Sequence, residues 1–190
     1  MSVKRSLALR AVHRLVYATM RLGVLVGILA VGFVTEAAGA REASAVYRID
    51  HVVDGDTIVL RNGQHVRLVQ TDTPEVYFGT ECYGRAASRT TESLLPVGSQ
   101  VRLFVEPATD RVDQYGRLLR YVVRVNGALN VNIHLVAIGA AAPYFYRGRR
   151  GRYAARLEVL AKRARAERLG LWGACPHTPY NPYEGVRTRR

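Results

Sequence analysis

The chain has 190 residues, with 28 Lys and Arg against 15 Asp and Glu and a formal net charge of +13. Its 2 cysteines and 5 histidines form no ligand set of the Cys/His kind that holds structural zinc, and no internal repeat or long linker divides it, so one domain is expected. The basic balance suits a surface that attracts polyanions.

Lys4, Arg5, Arg10, Arg14 and Arg21 precede an uncharged run from Leu22 to Val34, and Ala38-Gly39-Ala40 follows. Positive, apolar and small, in that order, is the pattern of a secretory signal. The run of 13 residues is shorter than the roughly 20 that a membrane-spanning helix needs. Residues 1–40 are therefore read as a signal peptide, with an uncleaved N-terminal membrane anchor as the alternative. Residues 41–176 are read as the folded domain and 177–190 as a flexible basic tail. The expected location is extracellular or in the cell envelope. Cys82 and Cys175, an even pair in an exported chain, are expected to form a disulfide.

Within the domain, Tyr47 to Val53, Thr57 to Leu60 and His65 to Val69 are short β-branched, apolar runs, separated by the turn dipeptides Asp54-Gly55 and Asn62-Gly63. A two-residue turn at Asn62-Gly63 would set Arg61 opposite Gln64, Ile58 opposite Arg67 and Asp56 opposite Val69. Asp56 and Arg67 would then share a face, about 7 Å apart along the strands, with Asp72 and Glu75 following at the same end. A helix is predicted from Gly84 to Leu95, with Ala87, Thr91, Leu94 and Leu95 on one side before Pro96. Two further strands are predicted at Gln100 to Glu106 and Leu118 to Val125, then a short helix capped by Asn130 or Asn132 and ending at Gly139. Tyr153, Leu157, Leu160, Ala161 and Ala164 recur at helical spacing and leave the surrounding arginines outward. Gly170 ends that helix, and Leu171 and Trp172 pack back on the barrel.

Five residues carry the chemistry: Asp56, Arg67, Asp72, Glu75 and Arg117. Cleaving a phosphodiester gathers negative charge on the phosphoryl oxygens, which a divalent cation held by carboxylates and a pair of arginines can stabilise. Hard cations take oxygen ligands. The arginine fork donates to two oxygens at once and keeps its charge at any working pH, and a further carboxylate such as Glu75 can orient or deprotonate a water. Taken singly, an Asp-Gly pair is usually a turn, Asp72-Thr73-Pro74-Glu75 a helix entry, and a tyrosine a packing residue. Their joint order and spacing make the case.

The words Asp54-Gly55-Asp56-Thr57, Arg67-Leu68 followed by Asp72-Thr73-Pro74-Glu75, Asp113-Gln114-Tyr115-Gly116-Arg117 and Gly170-Leu171-Trp172 resemble those of the staphylococcal nuclease (thermonuclease) family, over roughly Tyr47 to Cys175. The resemblance implies an α+β fold, a five-stranded Greek-key β-barrel of the oligonucleotide-binding (OB-fold) class with three α-helices. It implies that Asp56, Asp72 and the Thr73 carbonyl ligate Ca2+, that Glu75 holds or activates the water, and that Arg67 and Arg117 neutralise the phosphate. Tyr115 matches a tyrosine that contacts the nucleotide phosphate, and Tyr144 and Tyr146 match the family's other tyrosine pair if one residue is deleted after Gly139. Gln114 stands where the best-known member has a lysine. The implied activity is hydrolysis of DNA and RNA, single-stranded or as frayed duplex, to 3′-phosphate and 5′-hydroxyl ends, by a monomer with no obligate protein partner. A non-catalytic nucleic-acid-binding module of the same fold is the alternative.

Overall fold

The computed structural model describes residues 45–77 and 79–188. The expected signal peptide or anchor, residues 1–40, lies outside them. Among the described residues no helix is long and apolar enough to cross a membrane.

Five strands close into a barrel: β1 (Tyr47–Val52), β2 (Thr57–Leu60), β3 (His65–Leu68), β5 (Gln100–Phe104) and β6 (Leu118–Arg124), in the order β1-β2-β3-β6-β5. All neighbours are antiparallel except β3 and β6, which run parallel and close the barrel. A short two-stranded pair, β4 (Thr71–Asp72) and β7 (Ala142–Pro143), lies outside it. The helices are α1 (Gly84–Leu94), α2 (Val131–Ala137) and α3 (Ala154–Ala166), followed by a single turn, α4 (Leu171–Ala174). This is the expected α+β architecture of a five-stranded barrel with three helices.

The β-branched and leucine side chains that define the strands meet inside. Ile49, Ile58, Leu60, Val66, Leu68, Val101, Leu103 and Val122 form one buried cluster, joined by Leu135 of α2, Phe145 and Leu157 of α3. Alternation is plain along β5, where Val101 and Leu103 are buried and Gln100 is exposed. Asn130 caps α2, its side chain accepting from the Ile133 amide. Asn132 plays a different part. Fully buried, it accepts from Val122 N at 2.9 Å and donates to Val69 O and Arg120 O. It thereby satisfies backbone groups where β3 and β6 part.

The β2–β3 register differs from the expected one. Thr57 pairs with Arg67, Ile58 with Val66 and Val59 with His65. The loop holds three residues, because Leu60 N donates to Gln64 O and Gly63 N to Leu60 O, with Gly63 at φ 81°. A turn ending on a left-handed glycine is the three-residue hairpin solution, and it moves every partner by one. Asp56 nevertheless reaches Arg67, because it precedes β2 in an irregular bend where strand alternation does not apply.

Of residues 177–190, expected as a flexible tail, the described part to residue 188 packs on the domain. Thr178, Val186 and Thr188 are buried, and Phe145 N donates to Pro182 O at 2.6 Å. Val186 joins Ala142, Ala164, Leu171 and Trp172 in a second apolar cluster; Leu171 and Trp172 thus bury against α3 and the tail rather than in the barrel core. The sequence signal failed because the prolines and arginines that mark a loop do not say what its backbone bonds to.

Cys82 and Cys175 are bonded, with Cα atoms 6.0 Å apart and a sequence separation of 93. A loop of that length restricts the unfolded chain substantially. Replacing both cysteines by serine is expected to lower unfolding free energy by about 2–4 kcal/mol, measured by denaturant melts of the oxidised parent and the double variant.

Candidate active site

The site is built where the Asp54–Thr57 bend, the end of β3, β4 and the start of α1 come together. Asp54 Oδ1 accepts from Asp56 N at 3.0 Å, the side-chain turn that sets the bend. Gly55 lies so close to Thr73 that a Cβ there would stand 2.6 Å from its hydroxyl, and Thr91 of α1 donates to Gly55 O at 2.6 Å. α1 is packed in turn on the Glu75 backbone: a Cβ on Gly84 would meet Glu75 O at 2.5 Å.

Asp56 is 5 % exposed. Its Oδ2 accepts from Thr73 N at 2.9 Å and from the Thr73 hydroxyl at 3.2 Å, and Oδ1 accepts from the Thr57 hydroxyl. Arg67 Nη2 lies 2.9 Å from Asp56 Oδ2 and 2.6 Å from Asp72 Oδ1, so one nitrogen bridges two carboxylates. Its Nη1 donates to Leu68 O and Thr71 O. Asp72 sits in β4 opposite Ala142, and its Oδ2 accepts from Val186 N at 2.8 Å. Glu75 is exposed; its amide donates to Glu81 Oε2 and its carbonyl accepts from Glu81 N.

Arg117 arrives from the β5–β6 connection. Asp113 folds that turn by accepting from the amides of Tyr115 and Arg117, and it fixes the guanidinium through Nε at 2.7 Å. Arg117 Nη1 donates to the Thr57 hydroxyl at 3.3 Å, which joins the distant hairpin to the carboxylate bend. The guanidinium carbon stands 5.3 Å over the Tyr115 ring. A cleft of about 360 Å³ opens here. Arg67, Arg117, Tyr115, Tyr144 and Tyr146 all line it, as does Gln114. Tyr144 and Tyr146 meet edge to face with ring centroids 6.1 Å apart, while Phe145 between them is buried in the core.

Residues 65–174 match the family model of staphylococcal nuclease homologues. The chain belongs to that family. It is 33 % identical over 157 residues to a thermonuclease from Staphylococcus hyicus, covering 76 % of this chain and 89 % of that protein. It is 35 % identical over 133 residues to a micrococcal nuclease from Shigella flexneri, covering 64 % and 70 %. Over 109 residues it is 35 % identical to endonuclease YhcR of Bacillus subtilis, covering 51 % of this chain but only 9 % of that much longer protein.

In this member of the staphylococcal nuclease family the carboxylates outnumber the guanidinium that serves them. Burial, opposed by Arg67 and reinforced by the charges of Asp54 and Asp72, pushes the Asp56 carboxyl well above its usual range. Burial likewise raises Asp72 against the pull of Arg67. Glu75 is raised by partial desolvation and then by the charges of Asp54 and Asp72. Asp113 goes the other way, its desolvation outweighed by hydrogen bonds from Arg117 and Tyr115. No three His, Cys, Asp or Glu side chains group as a cation site among the described residues. The two carboxylates and one carbonyl expected from the sequence would leave further positions to water or substrate.

Several residues that shape the site gave no readable signal. Arg147 and Arg149 line the cleft, and Arg149 pairs with Asp110 at 2.5 Å. They lie in a basic run whose outward helix face masked them. Thr91 looked like one more position of an apolar stripe, and Val186 lay in a segment read as loose.

The excess negative charge has a stability consequence. The folded state holds the Asp56 proton more tightly than the unfolded chain does, so ionised Asp56 destabilises the fold at neutral pH. That cost fades as pH falls through the raised native value toward the ordinary one. In a chelator at neutral pH, Asp56→Asn is expected to melt a few degrees above the parent, with the gap closing on acidification, as followed by circular dichroism.

Proposed function

We propose that this chain is a secreted, Ca2+-dependent nuclease that hydrolyses phosphodiester bonds of DNA and RNA, leaving 3′-phosphate and 5′-hydroxyl ends. The observation that carries the reading is the pair of carboxylates, buried Asp56 and half-buried Asp72, sharing one nitrogen of Arg67 beside a cleft lined by arginines and tyrosines. Family membership and the nuclease names of its relatives support a nucleic acid as substrate.

The donor set fits a hard cation. Asp56 and Asp72 offer carboxylate oxygens whose charge burial leaves under-neutralised, and the Thr73 carbonyl is the third proposed ligand. Bound there, Ca2+ would supply positive charge to the phosphoryl oxygens and orient the attacking water. The residues of the chain do the rest. Glu75, exposed and made more basic by desolvation and its carboxylate neighbours, accepts or directs the proton of water. Arg117, with Nε held by Asp113 and Nη1 by Thr57, keeps its second terminal nitrogen for the phosphate as charge accumulates. Arg67 bridges the two carboxylates at the cleft wall and adds its charge to the same oxygens. Tyr115, Tyr144 and Tyr146 offer rings and hydroxyls to an unstacked nucleotide, which favours single strands or frayed ends over intact duplex. The Cys82–Cys175 bond suits an oxidising compartment and so an exported protein.

The test is cleavage of single-stranded DNA and RNA by the full oxidised chain, with Ca2+ or with a chelator, and analysis of the ends. Ca2+-dependent cleavage to 3′-phosphates is expected. Glu75→Ala and Arg117→Ala are each expected to lower kcat by about 10²-fold or more while melting close to the parent. Binding without cleavage would identify a non-catalytic binding module; undiminished turnover in either variant would remove that residue from the chemistry.

A further inference from the structure

The C-terminal segment crosses the candidate site instead of leaving it. From α4 it passes Tyr180 over Trp172, ring centroids 5.8 Å apart, and Pro182 O accepts from Phe145 N. Tyr183 then meets the Phe145 ring edge to face at 5.9 Å and accepts from Arg150 Nη1. Val186 N donates to Asp72 Oδ2 at 2.8 Å, and the Thr188 hydroxyl donates to Cys82 O at 2.6 Å. The segment is therefore pinned on both sides of Asp72, and Cys82 at its far end is itself bonded to Cys175 at its root.

The approach to Asp72 is a backbone approach, and the sequence permits it. Gly185 has φ 76°, and a Cβ there would lie 2.8 Å from Asp72 Oδ2. Packing of the Val186 side chain, 5 % exposed, requires neither the glycine nor an amide aimed at a carboxylate. With Oδ1 held by Arg67 and Oδ2 by Val186, the Asp72 carboxylate is fixed in rotation about its own axis. A carboxylate accommodates about four hydrogen-bond or ligand contacts, so lone pairs remain on both oxygens. Bonds to an ionised acceptor are among the stronger ones.

We propose that the Gly185–Val186 backbone is a positioning element of the cation site, holding Asp72 in its ligating orientation so that the C-terminal segment is required for full Ca2+ affinity. This rests on Asp72 being a cation ligand. The test uses the full chain, assembled by ligation at Cys175, with Val186 replaced by its α-hydroxy acid so that an ester oxygen stands where the N–H was. Gly185→Ala is the recombinant companion, and Asp72→Asn with an intact segment is the control. Ca2+ binding is measured by calorimetry and, separately, by the Ca2+ concentration that gives half-maximal cleavage.

The ester chain is expected to bind Ca2+ about ten-fold or more weakly, to need correspondingly more Ca2+ for cleavage, and to recover kcat near the parent value when saturated. Gly185→Ala should move the same way. An ester chain with parent affinity, while Asp72→Asn loses binding, would overturn the positioning role and leave the ligand assignment standing. Faster cleavage by the ester chain at saturating Ca2+ would make the segment an inhibitory cover and overturn it as well. A parent chain that takes up no Ca2+ would overturn both.

Discussion

Everything near the site is arranged around one guanidinium. Arg67 lies between buried Asp56 and half-buried Asp72 and also donates to two backbone carbonyls. Burying three charges is costly unless each is paired, and here the pairing is incomplete: one positive group serves Asp56 and Asp72 while Asp54 and Glu75 add to the field. A cluster selected for stability alone would balance its charges. The imbalance is one that the proposed cation would relieve.

The barrel supplies the precision. β3 brings Arg67, and its parallel pairing with β6 sets Arg67 beside Leu119, two residues beyond Arg117. Asp113 and the turn it builds then return the Arg117 guanidinium to Thr57, the partner of Arg67 in the β2–β3 ladder. Two arginines far apart in sequence are thus tied to the same bend, Arg117 through the Thr57 hydroxyl and Arg67 through the Asp56 carboxylate. Thr91 of α1 and the Gly55–Thr73 contact fix that bend from the other side. Changing Thr91 or Gly55 would loosen that bend without touching a residue proposed to react.

The strands, the helices and the cysteine pair were legible because each rests on a local pattern: β-branched runs, an apolar stripe, an even cysteine count. The principal site words were legible because the chemistry restricts residue type. Other features depend on backbone contacts that no side-chain pattern encodes. The Asn62-Gly63 dipeptide announces a turn but not whether Arg61 belongs to it, and that one residue decided the register. Asn132 reads as a possible cap until β3 and β6 are seen to part beside it. Val186 contributes an amide to Asp72, and every residue except proline has an amide.

The acids of the proposed cation site and those of the cleft are placed differently. The cleft is lined by Arg67, Arg117, Arg147 and Arg149 with Tyr115, Tyr144 and Tyr146, and the two acids in its wall are each paired, Asp110 with Arg149 and Asp113 with Arg117, whereas Asp56, Asp72 and Glu75 do not line it. A polyanion attracted by the net positive chain therefore meets a wall in which four arginines and three tyrosines stand with two acids that are already paired. Placed in that wall, the carboxylates of Asp56, Asp72 and Glu75 would repel the strand before it docked. Outside that wall, Asp56 and Asp72 are bridged by Arg67, so Arg67 and Arg117 belong both to the field that gathers a polyanion and to the chemistry proposed at the cleft.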